Sequence, residues 1–133
     1  MKKLILTLAL MIAGVLAVGQ NIETHGTLIT AKKVTQDTAI VLQVPTNQAW
    51  GMVARWTSGT FSATTATIKC TKDYGVSYQT YAGISAQTLT GATGSIAFED
   101  PFGCICTAIE LYIDINASEV GYLTVEYELK RVY

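Results

Sequence analysis

His25 is the single histidine of the 133-residue chain. A Ser-His-Asp or Cys-His relay needs a group that titrates near neutrality, and no other side chain here supplies one unperturbed. Its place close to the start of the predicted mature chain, where order is commonly lost, argues against catalysis of that kind. Carboxylates are the next candidates: Glu99-Asp100 precede Pro101, Asp114 and Glu119 flank a loop with Asn116 between them, and Asp73 sits in a turn. Oxygen ligands on loops suit calcium, but neither EF-hand nor Gly-Asp repeat spacing is present. A glycosidase pair needs one acid and one nucleophile, and nothing in the spacing singles them out. The expectation is solvated turn carboxylates, with no catalytic residue, metal or cofactor.

Three cysteines remain, Cys70, Cys104 and Cys106. The latter two share a strand face if extended, and a CxC pair lacks zinc-knuckle spacing. Export permits a disulfide between Cys70 and either partner, leaving an odd thiol; buried free cysteines acting as small hydrophobes are the alternative. Asn116-Ala117-Ser118 fits the glycosylation sequon, a pattern common by chance and discounted for a chain with a bacterial look.

The aromatic residues offer surfaces instead of reactive groups. Trp50 and Trp56 fall on one face of a predicted strand with Met52 and Ala54, where two tryptophans are expected to anchor a core; a sugar-stacking platform is the functional alternative. Tyr74, Tyr78, Tyr81, Tyr112 and Tyr122 are candidates for an interface, since a tyrosine ring buries area while its hydroxyl keeps a hydrogen bond. Half-buried strand residues are the plainer reading for each.

The elements that must position these residues are strands. Past Gln20, Thr, Val, Ile and Tyr abound, punctuated every eight to twelve residues by Gly, Asn, Asp and Ser. Ile109, Leu111, Ile113 and Ile115 alternate with Glu110, Tyr112 and Asp114, and the run from Tyr122 to Leu129 repeats the pattern. With a six-residue loop between them, they predict a C-terminal antiparallel hairpin. Further strands are expected over residues 27–34, 38–44 (ended by Pro45), 49–57, 64–71, 77–81 and 94–98, with turns at 72–75 and 90–93. About eight short strands imply an all-β, single antiparallel β-sandwich, jelly-roll-like or immunoglobulin-like.

Before this domain, Lys2-Lys3 and an apolar run from Leu4 to Val18 have the form of a secretory signal, with small residues at Ala17-Val18-Gly19. The division expected is a signal peptide or N-terminal hydrophobic membrane-anchor helix over residues 1–19 and a β-sandwich domain over 20–133. Membrane contact would run through residues 4–18, although the run is short for a span. Removing Lys2 and Lys3 from the nine basic residues leaves seven against ten acidic ones, which does not favour nucleic acid. The pairs Lys32-Lys33 and Lys130-Arg131 read as solvated strand edges.

The succession of Trp50 to Trp56, Thr57-Ser58-Gly59-Thr60, a strand through Ile68, the turn from Lys72 to Tyr78, Gly91 to Phe98, Ile109 to Ile115 and Gly121 to Tyr127 resembles small β-sandwich structural proteins of bacteriophages. Those proteins carry a W-T-G-T segment, a turn of the form S-x-D-G-x-x-W and a last strand with L-x-V. The resemblance covers roughly residues 50–127. Tyr78 stands where the pattern has Trp, and an export-type leader is unusual for a virion protein. The resemblance implies no active site, and a structural or display protein at a virion surface or membrane, assembling into a symmetric homo-oligomer or with other structural proteins. The alternative is a secreted bacterial carbohydrate- or surface-binding module, with Trp50 or Trp56 stacking on sugar rings. Exposure discriminates the two: a platform needs both rings open to solvent.

Overall fold

A computed structural model describes residues 23–45, 48–101 and 105–131. The leader, its cleavage point and the expected N-terminal helix lie outside these residues, as does Cys104. Nine strands are present among the described residues: β1 Glu23–Val34, β2 Thr38–Gln43, β3 Gln48–Thr57, β4 Phe61–Thr71, β5 Gln79–Thr80, β6 Gln87–Gly91, β7 Gly94–Asp100, β8 Ala108–Asp114 and β9 Gly121–Arg131. They form two antiparallel sheets, one in the order β1-β9-β3-β7 and the other β2-β8-β4-β5, with β6 also on β4. The described residues are therefore all-β and sandwich-like.

The core follows from alternation. On β3, Trp50, Met52, Ala54 and Trp56 face inward and are buried; they meet Ile68 from β4 and Ile109, Leu111 and Ile113 from β8. A period of two puts every second residue on one face, so the long strands β3, β4, β8 and β9 each send several apolar side chains between the sheets, while β2 and β7 send two each and β6 one. β2 stops as Pro45 requires: Val44 N–H gives the last bond, to Thr107 O at 3.2 Å.

The C-terminal pair does not form the expected hairpin. β8 pairs with β2 and β4, whereas β9 pairs with β1 and β3 in the opposite sheet. Two strands that each carry one oily face satisfy it equally well by pairing side by side or by facing each other across a core, and the six-residue link between them is long enough to cross. Glu119 fastens that crossing. Expected as a solvated turn carboxylate, it is only 6 % exposed, and accepts hydrogen bonds from the backbone and hydroxyls of Ser62 and Thr64 and from Ala63 N–H.

Two further expectations change. β6 occupies part of what reads as a turn, and Lys130-Arg131 end β9, an interior strand; Lys32-Lys33 do lie on the edge strand β1. One pole of the sandwich carries the start of β1, the β2–β3 and β7–β8 links and the end of β4; the other carries the β1–β2, β3–β4, β6–β7 and β8–β9 links. Cys70 and Cys106 form a disulfide at the first pole.

Candidate functional site

The outer face of the four-stranded sheet carries a groove. Register places Glu99 of β7 beside Gly51 of β3, Gly51 beside Glu128 of β9, and Glu128 beside His25 of β1. The next row reads Ala97, Val53, Glu126 and Thr27. Gly51 has no side chain and Val53 and Ala97 are small, so the middle of the sheet is low while longer side chains rise on either side. The resulting groove has a volume of about 480 Å³.

Its electrostatics are acidic. Glu126 is paired with Arg55, which stands two residues beyond its cross-strand neighbour Val53 on β3. Among the described residues neither Glu99 nor Glu128 shows a hydrogen-bond or ion-pair partner. They stand two strands apart, about 10 Å between Cα atoms from ordinary sheet spacing. Such a floor can lie against the C–H face of a flat ligand while the carboxylates accept from its hydroxyl or ammonium donors. It disfavours an anionic polymer.

His25, expected near a poorly ordered terminus, sits in β1 and lines this groove. Of the carboxylates weighed from sequence, Glu99 is here; Asp100 faces the interior, where Tyr81 donates its hydroxyl to it. Asp73 is absorbed in its own loop, accepting from Thr71 and Ser77, which hold its carboxyl far below the ordinary value. Sequence reasoning passed over Glu126, Glu128 and Gly51. The sign for them was the polar side of the last strand together with a glycine inside β3, which matters only once register sets them side by side.

The candidate aromatics do not make one platform. Trp50 and Trp56 are 3 % and 5 % exposed, so neither can stack on a ligand in this structure. Trp50 meets Tyr81 edge-on at 6.1 Å and Trp56 meets Phe61 at 6.2 Å. Tyr112 lies on the outside of the other sheet, beneath Lys69 Nζ at 3.5 Å from its ring centre. Its hydroxyl donates to Asp37 at 2.9 Å, and that bond, ahead of burial and neighbouring carboxylates, raises its pKa. Tyr78 is half-buried, while Tyr74 and Tyr122 are exposed near opposite poles.

No family model matches the chain, and no curated protein matches it. Among solved structures it is similar to a protein described as CBM4, with 11 % identity over 81 % of this chain and 70 % of that one at a TM-score of 0.43. TmCBM61, solved with β-1,4-galactotriose, shares 13 % identity over 82 % and 88 % at 0.43. The K1 cleaved adhesin domain of Lys-gingipain from Porphyromonas gingivalis shares 9 % over 82 % and 73 %, also at 0.43. Likeness at this level says nothing of a ligand for this chain.

Proposed function

We propose that this is an exported, non-enzymatic binding module that holds a neutral or cationic, hydroxyl-rich ligand, a carbohydrate chain in the first instance, in the groove of the four-stranded sheet. One observation carries the reading: the row Glu99, Gly51, Glu128, in which two carboxylates without a side-chain partner among the described residues stand astride a position with no side chain. A ligand laid across Gly51 meets backbone and small apolar groups below and acceptors on both sides. The alternation of strands between sheets, with the first and last strands adjacent, supports a jelly-roll form of the sandwich over an immunoglobulin form.

Titration calorimetry against neutral, acidic and amino-sugar oligosaccharides tests it. Heat with neutral or amino sugars that disappears in Glu99→Gln/Glu128→Gln supports the reading. No binding across the set, or binding that survives the double variant, overturns it, and release of shortened sugars overturns the non-enzymatic part.

Burial of both tryptophans favours the second reading, a structural or display protein such as a virion surface component, since it removes the aromatic platform expected of a sugar binder. A stable symmetric oligomer in solution that covers the groove is the outcome that would decide for it.

A further inference from the structure

The exposed apolar side chains of this domain are not scattered. The three most exposed large ones among the described residues, Tyr74 at 89 %, Val76 at 85 % and Ile105 at 76 %, belong to the pole where β1 begins. Ile105 adjoins the Cys70–Cys106 disulfide and borders the same hollow as Asp73 and Ser77 of the tyrosine loop. The other pole presents Tyr122 at 42 %, and Val41 at 39 % lies in β2. Clustering of this kind marks a contact surface.

The loop that displays Tyr74 and Val76 is held rigidly. Asp73 accepts from Thr71 Oγ1 at 2.5 Å, from Ser77 N–H at 3.0 Å and from Ser77 Oγ at 2.6 Å. Thr71 Oγ1 accepts from Gly75 N–H at 3.0 Å, and Val76 N–H reaches Asp73 O at 3.4 Å. Tyr74 is kept at φ 57° and Gly75 at φ 92°, a turn that few residues adopt unless their surroundings impose it. The amides of Gly75, Val76 and Ser77 are thus all bonded within the loop, which lowers the cost of taking the tip out of water.

We infer that this pole rests on a lipid surface, with Val76 and Ile105 entering the acyl boundary and Tyr74 at the level of the headgroups. A protein partner would gain from open backbone donors at the tip, and three successive amides there are already bonded; a bilayer penalises open donors and favours this closure. Tyrosine suits the interface, its ring apolar and its hydroxyl wet. Exposed Lys72 stands at the base of the loop and exposed Arg131 ends β9 at the same pole, placed to meet headgroup phosphates. Glu99 and Glu128 lie on its flank, which limits the preference for anionic lipid. The direction of the chain agrees: β1 starts here at Glu23, and only four residues separate it from the apolar run of Leu4 to Val18. Wherever that run is retained in a bilayer, this pole is the one it brings to the surface. The inference is independent of the groove and its ligand.

The experiment uses the full chain with Tyr74→Trp and, as control, Tyr122→Trp, each mixed with phosphatidylcholine vesicles whose acyl chains are plain or brominated. Both native tryptophans are buried, and their signal is subtracted using the unsubstituted chain. The expected result is that the new indole at position 74 shifts to the blue and loses most of its intensity to brominated lipid, while that at position 122 does neither. Equal quenching at both positions, vesicle-bound protein with neither quenched, or no vesicle binding overturns the inference. So does a shift at position 74 that follows protein concentration without vesicles, which assigns the pole to a second copy of the chain. Unchanged melting of both variants confirms that the loop still folds.

Discussion

Glu119 Oε2 accepts two hydrogen bonds from Thr64, from its backbone N–H at 3.0 Å and from its hydroxyl at 2.5 Å, and so ties the β8–β9 crossing to the bulged start of β4. The other oxygen accepts from Ser62 N–H at 2.9 Å, Ser62 Oγ at 2.5 Å and Ala63 N–H at 3.0 Å. Five donors on one carboxylate favour its charged form, which no neutral side chain replaces.

The hydroxyls of Ser62 and Thr64, followed by the nearby amides and against the cost of burial, lower the Glu119 pKa from 4.5 to about 2. A carboxyl with a depressed folded value contributes stability above its unfolded value and loses it as the pH falls through the folded one. The melting temperature is therefore expected to drop between about pH 4.5 and pH 2. Glu119→Gln should melt well below the parent at pH 7, because its NH2 faces donors, and the difference should narrow across the same window. Melting curves of both chains from pH 7 to pH 2 check this; a constant difference would sink the assignment.

The Cys70–Cys106 disulfide closes a loop spanning 36 residues. Loop-closure entropy for that length corresponds to about 4 kcal/mol in the chain-entropy account. The Cys70→Ala/Cys106→Ala chain should lose about that much in urea unfolding, while Cys104→Ala should change little. A large loss from Cys104→Ala alone would show that the odd cysteine has a structural part.

What the sequence could reveal was most of the strands, β6 excepted, because alternation is local: the spacing of Trp50 and Trp56 puts them on one face, and their size favours the inward one. Which strand lies beside which is not local. The segments 109–115 and 122–129 have the same pattern whether they pair in one sheet or face each other from two, and the deciding contact, Glu119 to Thr64, joins residues 55 apart in sequence. The groove was hidden for the same reason. Glu99 stood out only as one of several carboxylates and Gly51 and Glu128 not at all, and only cross-strand register makes the three neighbours. Tyr74 was legible as a candidate interface residue, but not that its loop closes on Asp73.

The two tryptophans differ in one polar atom. Trp56 Nε1 donates to Gly91 O at 3.3 Å, whereas Trp50 Nε1 is buried with no partner among the described residues. Replacing either by Phe removes similar volume. At position 56 a hydrogen bond is lost as well, worth about 1 kcal/mol, whereas at position 50 an unsatisfied donor is relieved. Trp56→Phe should therefore cost about 1–2 kcal/mol more than Trp50→Phe in chemical unfolding. The reverse order would place a buried water on Trp50 Nε1.

Gly51 gives the sharpest test of the groove. A Cβ built there has no neighbour closer than Phe98 O at 3.8 Å, an ordinary contact. Gly51→Val should leave melting nearly unchanged, since it adds a β-branched residue to an interior strand without a clash. It should nevertheless fill the floor between Glu99 and Glu128 and reduce oligosaccharide affinity by roughly tenfold or more, the effect of displacing a ligand from one well-fitted contact. Gly94→Ala is the contrast: its Cβ would run into Trp56 Cζ2, so it should lower stability by disturbing the core. Paired calorimetric binding and melting curves separate the two effects. If Gly51→Val folds as the parent does and still binds as tightly, the ligand does not cross this row.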